Sequence, residues 1–263
     1  MKGLTIFKNI FWAIGIVACL LALVVGFGVS AFTKYSPPGE YEEAQQSEEI
    51  FLESTGTLNR LGETADGGQS YIDGLTFLVD STLIGLRDYG LLSGGTSTSQ
   101  VWGSAAGNIS VENIADPTIK LNDGSEKLVS QAAAELKPSV LVISLGMDSL
   151  QKVDRVTFEA NYAALVNNIR AASPNTKIIL CSLSSVTSAY NSPDGITIEM
   201  ANTAEGWVQN VCRSTGVYYA DVTKEVKDTS GTLLSDFAGV NNKALNTTGL
   251  NKVLEYLRCH TVG

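Results

Sequence analysis

The chain predicts an α/β fold, a doubly wound parallel sheet of five strands with helices on both faces. Two observations predict it. Short apolar, β-forming runs alternate with longer helical stretches, and strands separated by helices pair in parallel through right-handed crossovers. Pro138 and Pro174 stand where helices must give way to strands.

Taken in order, strands are expected at 75–80, 98–102, 139–145, 177–183 and 216–221. Helices are expected at 128–136, 156–171, 197–214 and 248–259. Between the second strand and the first of these helices, Asn108 to Lys127 reads as a short β-excursion turning at Asp123-Gly124. There is no internal repeat.

Upstream, Ile10 to Phe32 carries no charged residue, a length that suits a helix crossing a bilayer core. Lys2 and Lys8 precede it, and Glu40, Glu42, Glu43, Glu48 and Glu49 follow. The positive-inside bias puts the start in the cytoplasm and the C-terminal domain outside, as a single-pass plasma-membrane protein. Val29-Ser30-Ala31 is also an acceptable cleavage site, so secretion after cleavage near Ala31 is the rival expectation. The organisation expected is therefore a transmembrane anchor or signal segment at 1–32 and an acidic stalk at 33–69. The stalk is expected to hold a helix over Ser47 to Leu61, with the folded domain at 70–263.

With 27 Asp and Glu against 18 Lys and Arg, and no basic run, the balance excludes nucleic acid as an expected partner. There is no P-loop, no Gly-x-Gly-x-x-Gly after a strand and no Cys/His cluster at zinc spacing, so neither cofactor nor metal is implied. Of the four cysteines, Cys19 falls in the uncharged segment, Cys181 at a buried strand end, and Cys212 and Cys259 on helices. Buried thiols are favoured there over a Cys212–Cys259 disulfide.

The most informative segment runs from Leu75 to Leu86, an apolar strand that stops at Asp80-Ser81 before a Gly-containing stretch. A serine at the carboxyl end of a buried strand stands where open α/β sheets bind ligands. An ordinary helix N-cap serine fits the same segment. The second informative segment, Val142 to Ser149, ends a strand in Gly146-Met147-Asp148.

Together these blocks resemble the SGNH (GDSL) hydrolases. Val79-Asp80-Ser81 stands for that family's Gly-Asp-Ser, and Gly146-Met147-Asp148-Ser149 for its Gly-x-Asn-Asp. The third block, Asp-x-x-His, falls in Gly239 to Leu250, where the register set by the helix entry places Asn241 at the aspartate and Ala244 at the histidine. Gln100 to Gly107 is similar to a subset of extracytoplasmic bacterial members. The resemblance covers roughly 70 to 260 and implies a flavodoxin-like sheet. Ser81 then takes the nucleophile position and Asp148 the oxyanion-asparagine position, with Asp80, Gly103, Gly107 and Gly146 lining the cleft.

By this register the base is lost. The one histidine, His260, sits at the far end of the last helix, roughly 16 to 18 Å from the active-site edge at about 1.5 Å per residue. It is expected to serve the helix terminus there. An ionised Asp148 would accept hydrogen bonds where an oxyanion needs a donor. Two functions follow. One is a membrane-anchored pseudoenzyme that binds an envelope glycan or a protein partner. The other is an active serine esterase or acyltransferase on O-acylated envelope carbohydrate, with Asp80 or Asp148 as an unusual base.

Overall fold

The computed structural model describes residues 56–104, 109 and 114–263. The expected anchor, cleavage site and acidic stalk up to residue 55, and Gly107, lie outside the described residues. Among the described residues no helix is long and apolar enough to cross a membrane.

Among the described residues there are eight strands: β1 Asn59–Arg60, β2 Leu75–Val79, β3 Val101–Trp102, β4 Thr118–Lys120, β5 Glu126–Leu128, β6 Val140–Ser144, β7 Lys177–Cys181 and β8 Tyr218–Ala220. Six α-helices accompany them among the described residues: α1 Gly68–Asp73, α2 Gly85–Asp88, α3 Val129–Leu136, α4 Arg155–Ala172, α5 Ile198–Thr215 and α6 Thr247–Arg258. The main sheet runs β1-β8-β7-β6-β2-β3, every pairing parallel.

Period-two alternation builds both faces of this sheet. Leu75, Phe77 and Val79 of β2, Val140 and Val142 of β6, and Ile179 and Cys181 of β7 face the cluster that holds Ile72, Leu86, Val253 and Leu257 of α1, α2 and α6. The residues between them, Leu78, Leu141, Ile143, Ile178 and Leu180, face α3, α4 and α5 through Val129, Phe158, Leu165 and Val208. Strands buried on both sides read as continuous apolar runs, which is why the five expected strands were visible.

The helix starts were equally legible. Asp154 caps α4 by accepting from the Thr157 amide at 2.8 Å, Thr197 caps α5 through Met200 at 3.2 Å, and Asn246 caps α6 through Gly249 at 3.0 Å. Gly216, at φ 70°, closes α5 in the left-handed conformation. The excursion is the antiparallel β4–β5 hairpin, with Gly124 at φ 84° in its turn. It is tied to the main sheet where the Lys120 amide donates to Gly103 O at 2.8 Å.

Two expectations change. The sheet has a sixth strand, because Asn59 and Arg60 pair with Tyr218 and Tyr219 at the edge. The domain therefore starts upstream of 70, and residues 56–61 are not helical. Arg60 pairs with Asp221 at 2.7 Å and lies over the Tyr219 ring, and Leu61 is buried. Two polar, exposed edge residues carry no hydrophobic period, so pattern reading passes over them. Second, the strand expected at 98–102 shortens to 101–102, because the chain leaves the 3₁₀ turn Gly95–Ser97 and bends at Ser99 and Gln100 before it enters the sheet. The favoured reading of the cysteines holds: Cys181, Cys212 and Cys259 are free thiols, Cys181 and Cys212 buried and Cys259 partly exposed. The alternative disulfide fails because α5 and α6 pack on opposite faces of the sheet, with the Cys212 thiol donating to Tyr218 O.

Candidate active site

From β2 the chain steps outward to β3 and then returns to β6 on the other side. That reversal makes the crevice above the carboxyl ends of β2 and β6 the place where an open α/β sheet receives ligands. Ser81 and Asp148 follow these two strands into that crevice.

They are bonded to each other twice. The Ser81 amide donates to Asp148 Oδ2 at 3.0 Å, and the Ser81 hydroxyl donates to Asp148 Oδ1 at 2.6 Å. The same Oδ1 accepts from Lys243 Nζ at 2.8 Å, and Lys243 Nζ also reaches Asp194 Oδ2 at 3.0 Å. Asp194 in turn accepts the Tyr190 hydroxyl at 2.7 Å. The result is a chain of charge and hydrogen bonds, Ser81–Asp148–Lys243–Asp194–Tyr190, across the crevice. The Lys243 and Asp148 side chains are 11% and 8% exposed, so their pairing is shielded from solvent.

Burial works against the Lys243 charge, but the hydrogen bonds and charges of Asp148 and Asp194 outweigh it and hold its pKa above the ordinary lysine value. Burial, and then the hydrogen bond to Asp194, push the Tyr190 phenol up to about 12.

Lys243 owes its position to a local turn. Asn241 Oδ1 accepts the amides of Lys243 at 3.1 Å and Ala244 at 2.9 Å, Asn242 takes φ 59°, and Gly239 N donates to Ala244 O at 2.8 Å. The Leu245 amide bonds Thr82 O at 3.1 Å, fastening this turn beside Ser81. Asn241 thus shapes the backbone, and Ala244 brings no chemistry to the crevice.

The remaining expected residues sort by depth. Asp80 does not line the crevice: it is 1% exposed and lies beneath it. Its Oδ1 accepts from the Thr82 amide at 3.0 Å and hydroxyl at 2.6 Å, and its Oδ2 from the Gly146 and Met147 amides, each at 3.1 Å. Burial, and then the Asp148 charge, push its carboxyl up to about 7 against these donors. Gly146, at φ 139°, is also interior, since a side chain there would meet Leu183 and Phe158 at 3.0 and 3.1 Å. Gly103 is buried at its bridge to Lys120, and a Cβ would meet Ile84 at 2.9 Å. His260 Nδ1 lies 2.8 Å from Tyr256 O and its ring stacks on Tyr256 at 3.8 Å, on the terminal turn of α6.

Lys243, Asp194 and Tyr190 were not anticipated. One signal was available: Lys243 is the cation inside the third block, next to the empty histidine position, and Asp148 had put an unmatched carboxylate into the second. Asp194 and Tyr190, in an irregular loop, gave none.

Residues 94–241 match the GDSL-like lipase/acylhydrolase family. The chain belongs to that family. The match begins after Ser81 and ends before Lys243. Among solved structures, the chain is similar to a protein of the G-D-S-L lipolytic family from Desulfitobacterium hafniense. That likeness has 18% identity and TM-score 0.45, over 69% of this chain and 97% of the other. It is similar to a carbohydrate esterase family 3 protein from Talaromyces cellulolyticus, with 18% identity and TM-score 0.41, over 69% and 92%. A third is the OSK domain of Drosophila Oskar, with 13% identity and TM-score 0.45, over 74% and 91%. No curated protein matches the chain.

Proposed function

We propose that this family member binds rather than hydrolyses, as a membrane-anchored extracytoplasmic pseudoenzyme whose ligand is an envelope glycan or a protein partner. One observation carries the silent site. Both Ser81 groups that would serve acyl transfer, the hydroxyl as nucleophile and the amide as oxyanion donor, are committed to the Asp148 carboxylate. An incoming acyl group would meet a carboxylate where its own negative charge must form. Losing one oxyanion donor costs about 2.7–4 kcal/mol, and a fixed like charge adds to that. Lys243, held as an ammonium by two carboxylates, has no lone pair with which to take the serine proton. The anchor rests on the uncharged Ile10–Phe32 segment and the Lys2/Lys8 bias.

A second reading draws on the 2.6 Å contact itself, because a serine hydroxyl on a carboxylate is a nucleophile beside an acceptor. In that reading the protein is an esterase or acyltransferase on O-acylated envelope carbohydrate, with Asp148 receiving the proton. A fluorophosphonate probe and p-nitrophenyl acetate separate the two. Binding without hydrolysis gives no labelling, and equal, near-background turnover for wild type and Ser81→Ala. Labelling at Ser81 with a serine-dependent rate favours the esterase. Mass spectrometry of the mature N terminus decides between retained anchor and cleaved signal.

A further inference from the structure

We infer that Asp148 silences a latent Ser81–Lys243 pair, with Asp148 acting as an internal stand-in for the oxyanion and Lys243 as a base in waiting for acyl-ester hydrolysis. This rests on the reading of a silent site and names the residue that keeps it silent.

The Ser81 hydroxyl and the Lys243 ammonium both donate to the single oxygen Oδ1 of Asp148, at 2.6 and 2.8 Å, so that oxygen bridges them. Oδ2 occupies the Ser81 amide at 3.0 Å, the donor that an oxyanion would otherwise use. Removing the carboxylate frees the serine hydroxyl, its amide and the lysine in one step. Asp194 keeps hold of Lys243 at 3.0 Å, so the ammonium retains a counter-ion and stays aimed into the crevice. The turn that presents Lys243 depends on Asn241, Asn242 and Gly239 and does not involve Asp148.

The chemistry then balances with water as the co-reactant. A neutral Lys243 amine takes the proton as Ser81 Oγ bonds to the ester carbonyl carbon, and the carbonyl electron pair moves to oxygen against the Ser81 amide. Collapse breaks the bond to the leaving phenolate and leaves acetyl-Ser81. Lys243 gives up its proton to solvent, takes one from an attacking water, and returns it to Ser81 as acetic acid departs and releases its own proton to solvent.

The groups facing Lys243 set the pH at which this works. Asp148 and Asp194 bond it directly, Tyr190 acts through Asp194, and Asp80 lies beneath with its charge felt at the lysine. With Asp148 gone one carboxylate remains beside it, so the rate should climb through the alkaline range toward the ordinary lysine pKa of about 10.4.

The test is Asp148→Asn, with Asp148→Ala as a second variant, each checked for folding by circular dichroism. The expected result is fluorophosphonate labelling at Ser81 and a p-nitrophenyl acetate rate about tenfold or more above wild type, rising with pH. Adding Ser81→Ala or Lys243→Met should abolish the gain. Two folded, unlabelled variants would overturn the inference, and so would a gain that survives Lys243→Met. Labelling of the unaltered protein would instead sink the silent-site reading, which keeps the two failures apart.

Discussion

Lys243 meets Asp148 at 2.8 Å across 95 positions of chain, and the two side chains bury each other at the mouth of the sheet crevice. A shielded pair of this kind is costly to break, because the survivor is left charged without its partner. Lys243→Met should lower stability by about 3–5 kcal/mol, a fall in melting temperature on the order of 10 °C. Lys243→Met with Asp148→Asn should recover part of it. Urea titrations of the three variants check both statements. A loss below about 1 kcal/mol for the single change would mean that the pair is no stronger than a surface contact.

The same pair gives an alkaline signature. Lys243 is held above its ordinary value of 10.5, so the folded state keeps its proton longer than the unfolded chain does. Its contribution is complete below that value and is lost as pH rises through the higher folded value. The urea midpoint of wild type should fall in this range more steeply than that of Lys243→Met.

Asp80 acts at lower pH with the same sign. Its carboxyl is raised from 3.8 to about 7 by burial and then by the Asp148 charge, so between those values the folded state binds more protons than the unfolded one. Its contribution to stability must decline as pH rises from about 4 to about 7. Asp80→Asn should flatten that slope. It should also cost about 1–3 kcal/mol, because an amide NH₂ then faces one of the two donor pairs now bound by the carboxylate. Chemical denaturation at a series of pH values separates the two effects.

Gly146→Ala should destabilise by about 1–3 kcal/mol. Its φ of 139° suits glycine, and the added methyl would press on Leu183 and Phe158 while displacing the amides that hold Asp80. Calorimetry would expose the error if the variant melted with wild type.

Thiol titration tests the packing of the two faces. Burial pushes the Cys212 thiol up to about 12 and the Cys181 thiol higher still, so neither should react in the native domain, whereas the partly exposed Cys259 should. Reducing and non-reducing masses should agree for the domain's cysteines. A Cys212–Cys259 crosslink would contradict the placement of α5 and α6 on opposite faces.

The amino-acid sequence by itself determined five strands of the main sheet and the four longer helices that enclose it. Runs such as Val140 to Ile143 are apolar on both faces, and Asp154, Thr197 and Asn246 each cap a helix by accepting the amide three residues on. Such signals are local, so they survive in a one-dimensional reading. The positions of Ser81 and Asp148 at two strand ends were legible for the same reason.

Only the tertiary structure decided how the crevice is charged. Lys243 carries no pattern of its own, and Asp194 and Tyr190 lie in an irregular loop. Their meeting with Asp148 depends on the order β6-β2 in the sheet and on the turn held by Asn241. The edge strand at Asn59–Arg60 escaped for a related reason, since what defines it is main-chain pairing with Tyr218 and Tyr219 and not the character of its own side chains. Electrostatic pairing acts between groups close in space whatever their separation along the chain, so a base replaced by an ammonium and an oxyanion donor replaced by a carboxylate become one interaction only after folding.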